Sequence, residues 1–171
     1  METFLNPEKI LKRLKLEEDM VAADFGSGSG GWTIPLAKIL EYGKVFAIDV
    51  LEEPLSSLQA KAKLAKVSNI KIILADVERG TDIFEDSCDL VLMTNLLFQC
   101  DDKKRVIQEG KRVLKKGGRI LVVDWGKNAL LVPKEKRVPV VEVKEISLDL
   151  NLKIEKEFEA GPYHFGLLLV K

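Results

Sequence analysis

The stretch Val21-Ala22-Ala23-Asp24-Phe25-Gly26-Ser27-Gly28-Ser29-Gly30-Gly31 constrains this chain more than any other. An apolar run of strand length breaks into glycines, and a helical pattern starting at Trp32 follows. Glycines at such a place allow a tight turn and let a ligand touch the backbone. Gly26, Gly28 and Gly31 also satisfy the G-x-G-x-x-G spacing of dinucleotide enzymes, so the glycines alone leave the ligand open.

Asp24 separates the possibilities. A carboxylate two residues before the first glycine opposes a pyrophosphate and favours a cation. S-adenosylmethionine, with an ammonium and a sulfonium and no phosphate, meets that requirement by charge pairing. The other role open to Asp24 is to cap the following helix. Asp49 closes the next apolar run, Val45-Phe46-Ala47-Ile48-Asp49, close to where an acidic residue grips ribose hydroxyls in this architecture. Asp76 ends Ile72-Ile73-Leu74-Ala75-Asp76, where it is placed for an adenine amino group, with the Val77 amide on a ring nitrogen. Each aspartate alone also fits an ordinary turn. Three at successive strand ends point to a ligand.

The rest of the chain supplies the scaffold these positions need. Met20 to Phe25, Val45 to Asp49, Ile70 to Ala75, Cys88 to Thr94 and Arg119 to Asp124 read as buried strands. Helical patterns at Trp32 to Glu41, Pro54 to Lys66 and Asp101 to Lys115 separate most of them, the last ended by Gly117-Gly118. The connection Val77 to Ser87 is too short for more than a turn of helix. Strands apolar almost throughout belong to a parallel sheet covered on both faces, which predicts a doubly wound α/β domain. Asn128 to Pro139 is polar with two prolines, Val140 to Leu150 reads as a helix, and Leu152 to Phe158 with Phe165 to Val170 read as strands joined at Gly161-Pro162. Pro7 to Lys15 reads as a short helix that packs on the domain or roofs its site.

A length of 171 residues predicts one domain, 1–171, with 1–19 as its N-terminal helical segment. The 27 basic and 27 acidic residues cancel, which argues against a long-range field gathering nucleic acid. Local basic clusters at Lys111, Arg112, Lys115 and Lys116 and at Lys134, Lys136 and Arg137 read as solvated faces. Cys88 and Cys100 have neither metal-ligand spacing nor a disulfide framework, so a reducing cytoplasm and no metal are expected. No apolar run reaches the roughly 20 residues that span a bilayer, and Met1 to Leu16 carries charges where a signal peptide is apolar.

The stretches VAADFGSGSGGWTIPLA, KVFAIDV, IILADVE, CDLVLMTNLLFQ and GKRVLKKGGRILVVDW resemble, in order, the class I S-adenosylmethionine-dependent methyltransferases, especially the ubiquinone/menaquinone-biosynthesis type and its small relatives. The closing Gly-Pro-Tyr-His-Phe-Gly is similar to the tail of such relatives. The resemblance implies a Rossmann-like seven-stranded sheet, mostly parallel with an antiparallel last strand and helices on both faces. It assigns Asp24, Gly26, Ser27, Gly28 and Gly30 to the methionine part, Asp49 and Val50 to the ribose, and Asp76 and Val77 to the adenine. Asn95 falls beside the methionine and the transferable methyl. The sequence Thr94-Asn95-Leu96-Leu97-Phe98-Gln99 departs from the Asn-Pro-Pro-Tyr loop of enzymes acting on base or glutamine amide nitrogens.

The family strand order places the Glu159 to His164 turn on the cofactor's edge, making Tyr163 and His164 candidates to reach an acceptor. His164, the only histidine, is the candidate general base, with a purely structural place at the strand start as the alternative. Trp32 is expected to pack in the first helix, and Trp125 to wall the substrate. Only Gly126 to Pro139 is available to build an acceptor pocket, so the site is expected to be open, roofed by the N-terminal helix, or completed by a second subunit in a homodimer. A small-molecule acceptor leads. RNA or protein methylation, a non-catalytic S-adenosylmethionine-binding partner protein and, last, a nicotinamide-dependent dehydrogenase are the competing classes.

Overall fold

The computed structural model describes residues 5–129 and 133–171. Residues 1–4 of the expected N-terminal segment, and 130–132 of the polar stretch before Pro139, lie outside the described residues. Seven strands form one sheet: β1 (Val21–Phe25), β2 (Lys44–Asp49), β3 (Ile70–Leu74), β4 (Cys88–Thr94), β5 (Leu114–Trp125), β6 (Lys153–Gly161) and β7 (His164–Val170). Their order is β3-β2-β1-β4-β5-β7-β6, with β1 to β5 parallel and β7 antiparallel to both its neighbours. The expected fold class is the one observed, including the antiparallel last strand.

The apolar runs read as buried strands because both faces are covered. Successive residues of a strand point to opposite faces, so Phe25, Val91, Met93, Ile120 and Val122 enter one core, and Ala22, Leu90, Leu92, Leu121 and Val123 the other. The first core takes Val106 and Ile107 from α4 (Lys103–Val113) and Val143 from α5 (Val140–Asp149). The second takes Ile10 and Leu11 from α1 (Pro7–Leu11) and Leu36 and Ala37 from α2 (Thr33–Ile39). Leu55 and Leu58 of α3 (Glu52–Leu64) pack on Ala47. Each fully buried leucine contributes roughly 1.5–3 kcal/mol relative to exposure. Trp32, 8% exposed, belongs to the α2 core as expected.

α1 starts where Asn6 caps it, its side chain accepting from the Lys9 N–H at 3.0 Å. A 3₁₀ turn over Lys12–Leu14 follows, and Arg119 Nη1 donates to the Leu14 carbonyl at 2.6 Å, so the segment is tied to the entry end of β5. Among the described residues no helix is long and apolar enough to cross a membrane.

The boundary between the third long helix and the fifth strand differs from expectation. The third long helix was expected to reach Lys115 and stop at Gly117-Gly118, yet α4 ends at Val113 and Leu114 already belongs to β5, paired with Cys88. Gly117 N–H donates to the Lys171 carbonyl at 3.0 Å and Lys171 N–H to the Gly118 carbonyl at 2.9 Å. The glycine pair therefore shapes an irregular strand start held by the chain's last residue, and the buried Leu114 side chain outweighs another half-turn of helix.

Candidate functional site

The winding of the sheet reverses between β1 and β4, and in open α/β sheets a crevice opens beyond the carboxyl ends of the strands at that point. The glycine turn leaves β1 into this crevice. Ser27 N–H donates to the Ile48 carbonyl and Gly28 N–H to Asp49 Oδ2, both at 2.9 Å, so the end of β2 shapes the turn. A Cβ on Gly26 would stand 2.9 Å from Leu96 Cδ1, which shows how closely the loop after β4 lies against the turn. At Gly28, φ is +52° and a Cβ would meet nothing within 4 Å. The left-handed backbone there faces open space, as a ligand cradle requires. On the outer side, Lys61 Nζ donates to Ser29 Oγ at 2.8 Å.

Asp24 lies on β1 at 0% exposure. Thr33 Oγ1 donates to its Oδ2 at 2.6 Å, and burial pushes its pKa up to about 7, with a further upward push from Asp49. The bond is to the Thr33 hydroxyl, at the start of α2. Asp49 Oδ1 accepts from the Leu51 N–H at 3.0 Å while Oδ2 holds Gly28. Each carboxylate oxygen has two lone-pair sites, leaving capacity for ribose hydroxyls beside Val50, which is exposed. Asp76 follows β3; its Oδ1 accepts from the Glu78 N–H at 3.0 Å, and its Oδ2 pairs with Arg79 Nε at 3.3 Å. Val77 beside it is buried. Asn95 follows β4 with φ +50°, and its N–H donates to the Val123 carbonyl at 2.8 Å. The register Phe25↔Ile48, Phe25↔Met93 and Asp49↔Leu74 brings Asp24, Asp49, Asp76 and Asn95 to one edge.

Asp24 Oδ1, Ser27 Oγ and Asn95 Oδ1 are buried with no hydrogen-bond partner among the described residues. A buried unsatisfied polar atom costs about 1–3 kcal/mol, so a ligand that brings donors recovers that loss. An ammonium, with its N–H donors and positive charge, suits two acceptor oxygens and an ionisable carboxyl.

Asp124 belongs to the same pattern and is a residue that the sequence reading missed. It is fully buried on β5, where Oδ1 accepts from the Trp125 N–H at 2.8 Å and Oδ2 from the Phe98 N–H at 3.3 Å. Burial pushes its pKa up to about 6, opposed by those backbone donors. The signal was present: Leu-Val-Val-Asp is a fourth apolar run closed by an acidic residue. Thr33 and Lys61 were also missed, and no local pattern distinguishes them from ordinary helix residues.

Beyond Trp125 a cleft of about 920 Å³ opens, walled by residues of β5, β6 and β7 and by residues 126–128, 134 and 137–140. His164 is the register partner of Trp125, and their rings lie 4.2 Å apart. Trp125 meets Phe98 edge to face at 6.4 Å, linking the cleft to the loop that carries Asn95. His164 is 3% exposed, and burial lowers its pKa, so its imidazole is neutral at pH 7. Tyr163 shares the turn but does not line the cleft; its carbonyl accepts from the Gly126 N–H at 2.7 Å. Trp125 lines the cleft. In the first basic cluster, Arg112 pairs with Glu109 at 2.7 Å, Lys115 with Asp89 at 2.8 Å, and Lys111 Nζ donates to the Leu150 carbonyl at 2.6 Å, which makes these residues structural.

Residues 23–122 match the sequence family described as a methyltransferase domain. A demethylmenaquinone methyltransferase of Staphylococcus aureus (strain MRSA252) is 32% identical over 130 residues, covering 75% of this chain and 52% of the relative. The chain thus spans about half the length of the curated relatives it matches. A crystal structure of a SAM-dependent methyltransferase from Aquifex aeolicus superposes with a TM-score of 0.89 at 28% identity, over 97% of this chain and 89% of that one.

Proposed function

Because the chain belongs to the methyltransferase-domain family, we propose that it is an S-adenosylmethionine-dependent methyltransferase acting on a small-molecule acceptor. The observation that carries the cofactor reading is the group of buried oxygens without partners, Asp24 Oδ1, Ser27 Oγ and Asn95 Oδ1, around a glycine turn that faces open space. Asp24, Gly26, Ser27, Gly28 and Gly30 would hold the methionine part, Asp49 and Val50 the ribose, Asp76 and Val77 the adenine, and Asn95 the region of the reactive methyl. When bound, S-adenosylmethionine supplies an electrophilic methyl on a sulfonium, so the protein needs chiefly to align an acceptor and remove its proton.

The acceptor enters the cleft beyond Trp125. There His164, kept neutral by burial, takes the acceptor's proton at an imidazole nitrogen, and the Trp125 ring at 4.2 Å holds the imidazole plane. Residues 126–128, 134 and 137–140, with the ends of β6 and β7, would exclude water from one side of the acceptor. The cytoplasm suits this chemistry, since Cys88 and Cys100 are both free thiols.

Calorimetry with S-adenosylmethionine, its demethylated product and a nicotinamide dinucleotide tests the reading. The first two should bind and the third should not. No binding of either sulfur compound overturns it. Incubation with methyl-labelled cofactor and a cell extract, followed by sorting the label into small molecules, RNA and protein, tests the acceptor class.

A further inference from the structure

We infer that Thr33 is the residue that positions Asp24 for the cofactor's ammonium: its hydroxyl holds one carboxylate oxygen and leaves the other for the ligand. The inference rests on the methyltransferase reading and adds a positioning residue to its cofactor site.

The hydrogen bond spans the glycine turn. Asp24 stands on β1 two residues before Gly26, and Thr33 opens α2 two residues after Gly31. Both are 0% exposed, and Thr33 Oγ1 donates to Asp24 Oδ2 at 2.6 Å. Within the turn, Gly30 N–H donates to the Ser27 carbonyl at 3.0 Å and Ile34 N–H to the Gly30 carbonyl at 3.1 Å. Those bonds shape successive steps, whereas the bond from Thr33 to Asp24 joins the two ends.

A threonine hydroxyl has one proton to give, and branching at Cβ leaves its side chain few rotamers. With that proton on Oδ2, the orientation of the carboxylate is set by α2. Asp24 Oδ1 is buried and has no hydrogen-bond partner among the described residues, and the same holds for Ser27 Oγ and Asn95 Oδ1. An ammonium N–H directed at Oδ1 supplies the bond that the free protein lacks, in the charge-assisted form that is strongest.

The same contact favours the charge that an ammonium needs. Burial raises the Asp24 pKa to about 7, the Thr33 hydroxyl pulls it down by stabilising the ionised form, and Asp49 at the end of β2 pushes it up. Its register partners are apolar, Ala47 on β2 and Leu92 on β4, and Lys38, the charged residue of α2, is exposed. Of these neighbours, Thr33 favours the anion.

The test is calorimetry of the full chain with the demethylated cofactor product from pH 5.5 to 8.5. Wild type is compared with Thr33→Val, which keeps the branched shape without the donor, and Thr33→Ser, which keeps the donor. Wild-type affinity should rise with pH through a midpoint near pH 7. In Thr33→Val the midpoint should move up by about one pH unit, so that affinity at pH 7 falls roughly 5-fold or more and the gap narrows by pH 8.5. Thr33→Ser should restore the wild-type profile, and in an Asp24→Asn background Thr33→Val should change affinity by less than a factor of two. Should Thr33→Val fail to fold, Thr33→Ala takes its place with the same outcomes expected. Unchanged binding by the variant without the donor, weakening that is equal at every pH, a serine variant that behaves like valine, or a flat wild-type profile overturns the inference and leaves the cofactor reading standing. Failure of the wild type to bind the product at any pH overturns the methyltransferase reading instead.

Discussion

Thr33 Oγ1 donates to Asp24 Oδ2 at 2.6 Å, while Asp24 Oδ1, equally buried, has no partner among the described residues. The carboxyl is half satisfied, and its pKa is raised from 3.8 to about 7, chiefly by burial. Between those two values the folded protein binds a proton that the unfolded chain has lost. Asp24 therefore favours the folded state fully below pH ~4, and this contribution is lost as pH rises through about 7, a change on the order of a few kcal/mol. A cationic ligand pairs with the ionised form, so S-adenosylmethionine affinity should rise from pH 6 to pH 8, with proton release on binding. Calorimetry in buffers of different ionisation enthalpy measures both, and affinity that stays flat over that range contradicts the pairing. Asp24→Asn should raise the Tm of the free protein at pH 8 and weaken cofactor binding at least 10-fold.

Gly28→Ala separates the fold from the cradle. A Cβ there meets no protein atom within 4 Å, so the fold should lose only the left-handed backbone cost of about 1–2 kcal/mol. The methyl would project into the space assigned to the ligand. Denaturant unfolding should show the small loss, and binding of the cofactor or its demethylated product should fall by a factor of 10 or more. Unchanged affinity would remove Gly28 from the site.

Asp124→Asn tests the link between the two halves of the site. The aspartate accepts the N–H groups of Trp125 and Phe98 on separate oxygens, and an amide can accept only one while turning a donor toward the other. The expected cost is about 1–3 kcal/mol of stability. Loosening of the loop from Asn95 to Gln99 should also raise the KM for S-adenosylmethionine. A variant that loses stability while keeping the wild-type KM would confine Asp124 to the core.

His164→Gln should leave cofactor affinity unchanged and lower kcat by about 10²–10⁴-fold, the usual worth of a general base. The measurement is methyl transfer to whichever acceptor the labelled extract yields. A kcat within a factor of two of wild type would leave His164 a structural place beside the Trp125 ring.

The strands, the doubly wound fold and the aspartates that end β1 and β2 or follow β3 were legible in the chain, because alternating apolar runs, glycine turns and acidic closures are local patterns set by neighbouring residues. The end of α4 was not. Its glycine pair resembles a helix stop, but hydrogen bonds to Lys171 and the burial of Leu114 beside Cys88 make it part of a strand, and these come from distant residues. The Thr33 hydroxyl on Asp24 and the backbone donors on Asp124 were hidden for the same reason. The sequence by itself determined which residues gather at the carboxyl edge of the sheet, since parallel strands must end there together. Only the tertiary structure decided which of those carboxylates are sealed from water, and that Trp125 and His164 stand opposite each other. Burial and cross-strand register arise from contacts between residues far apart in the chain, and no local pattern encodes them.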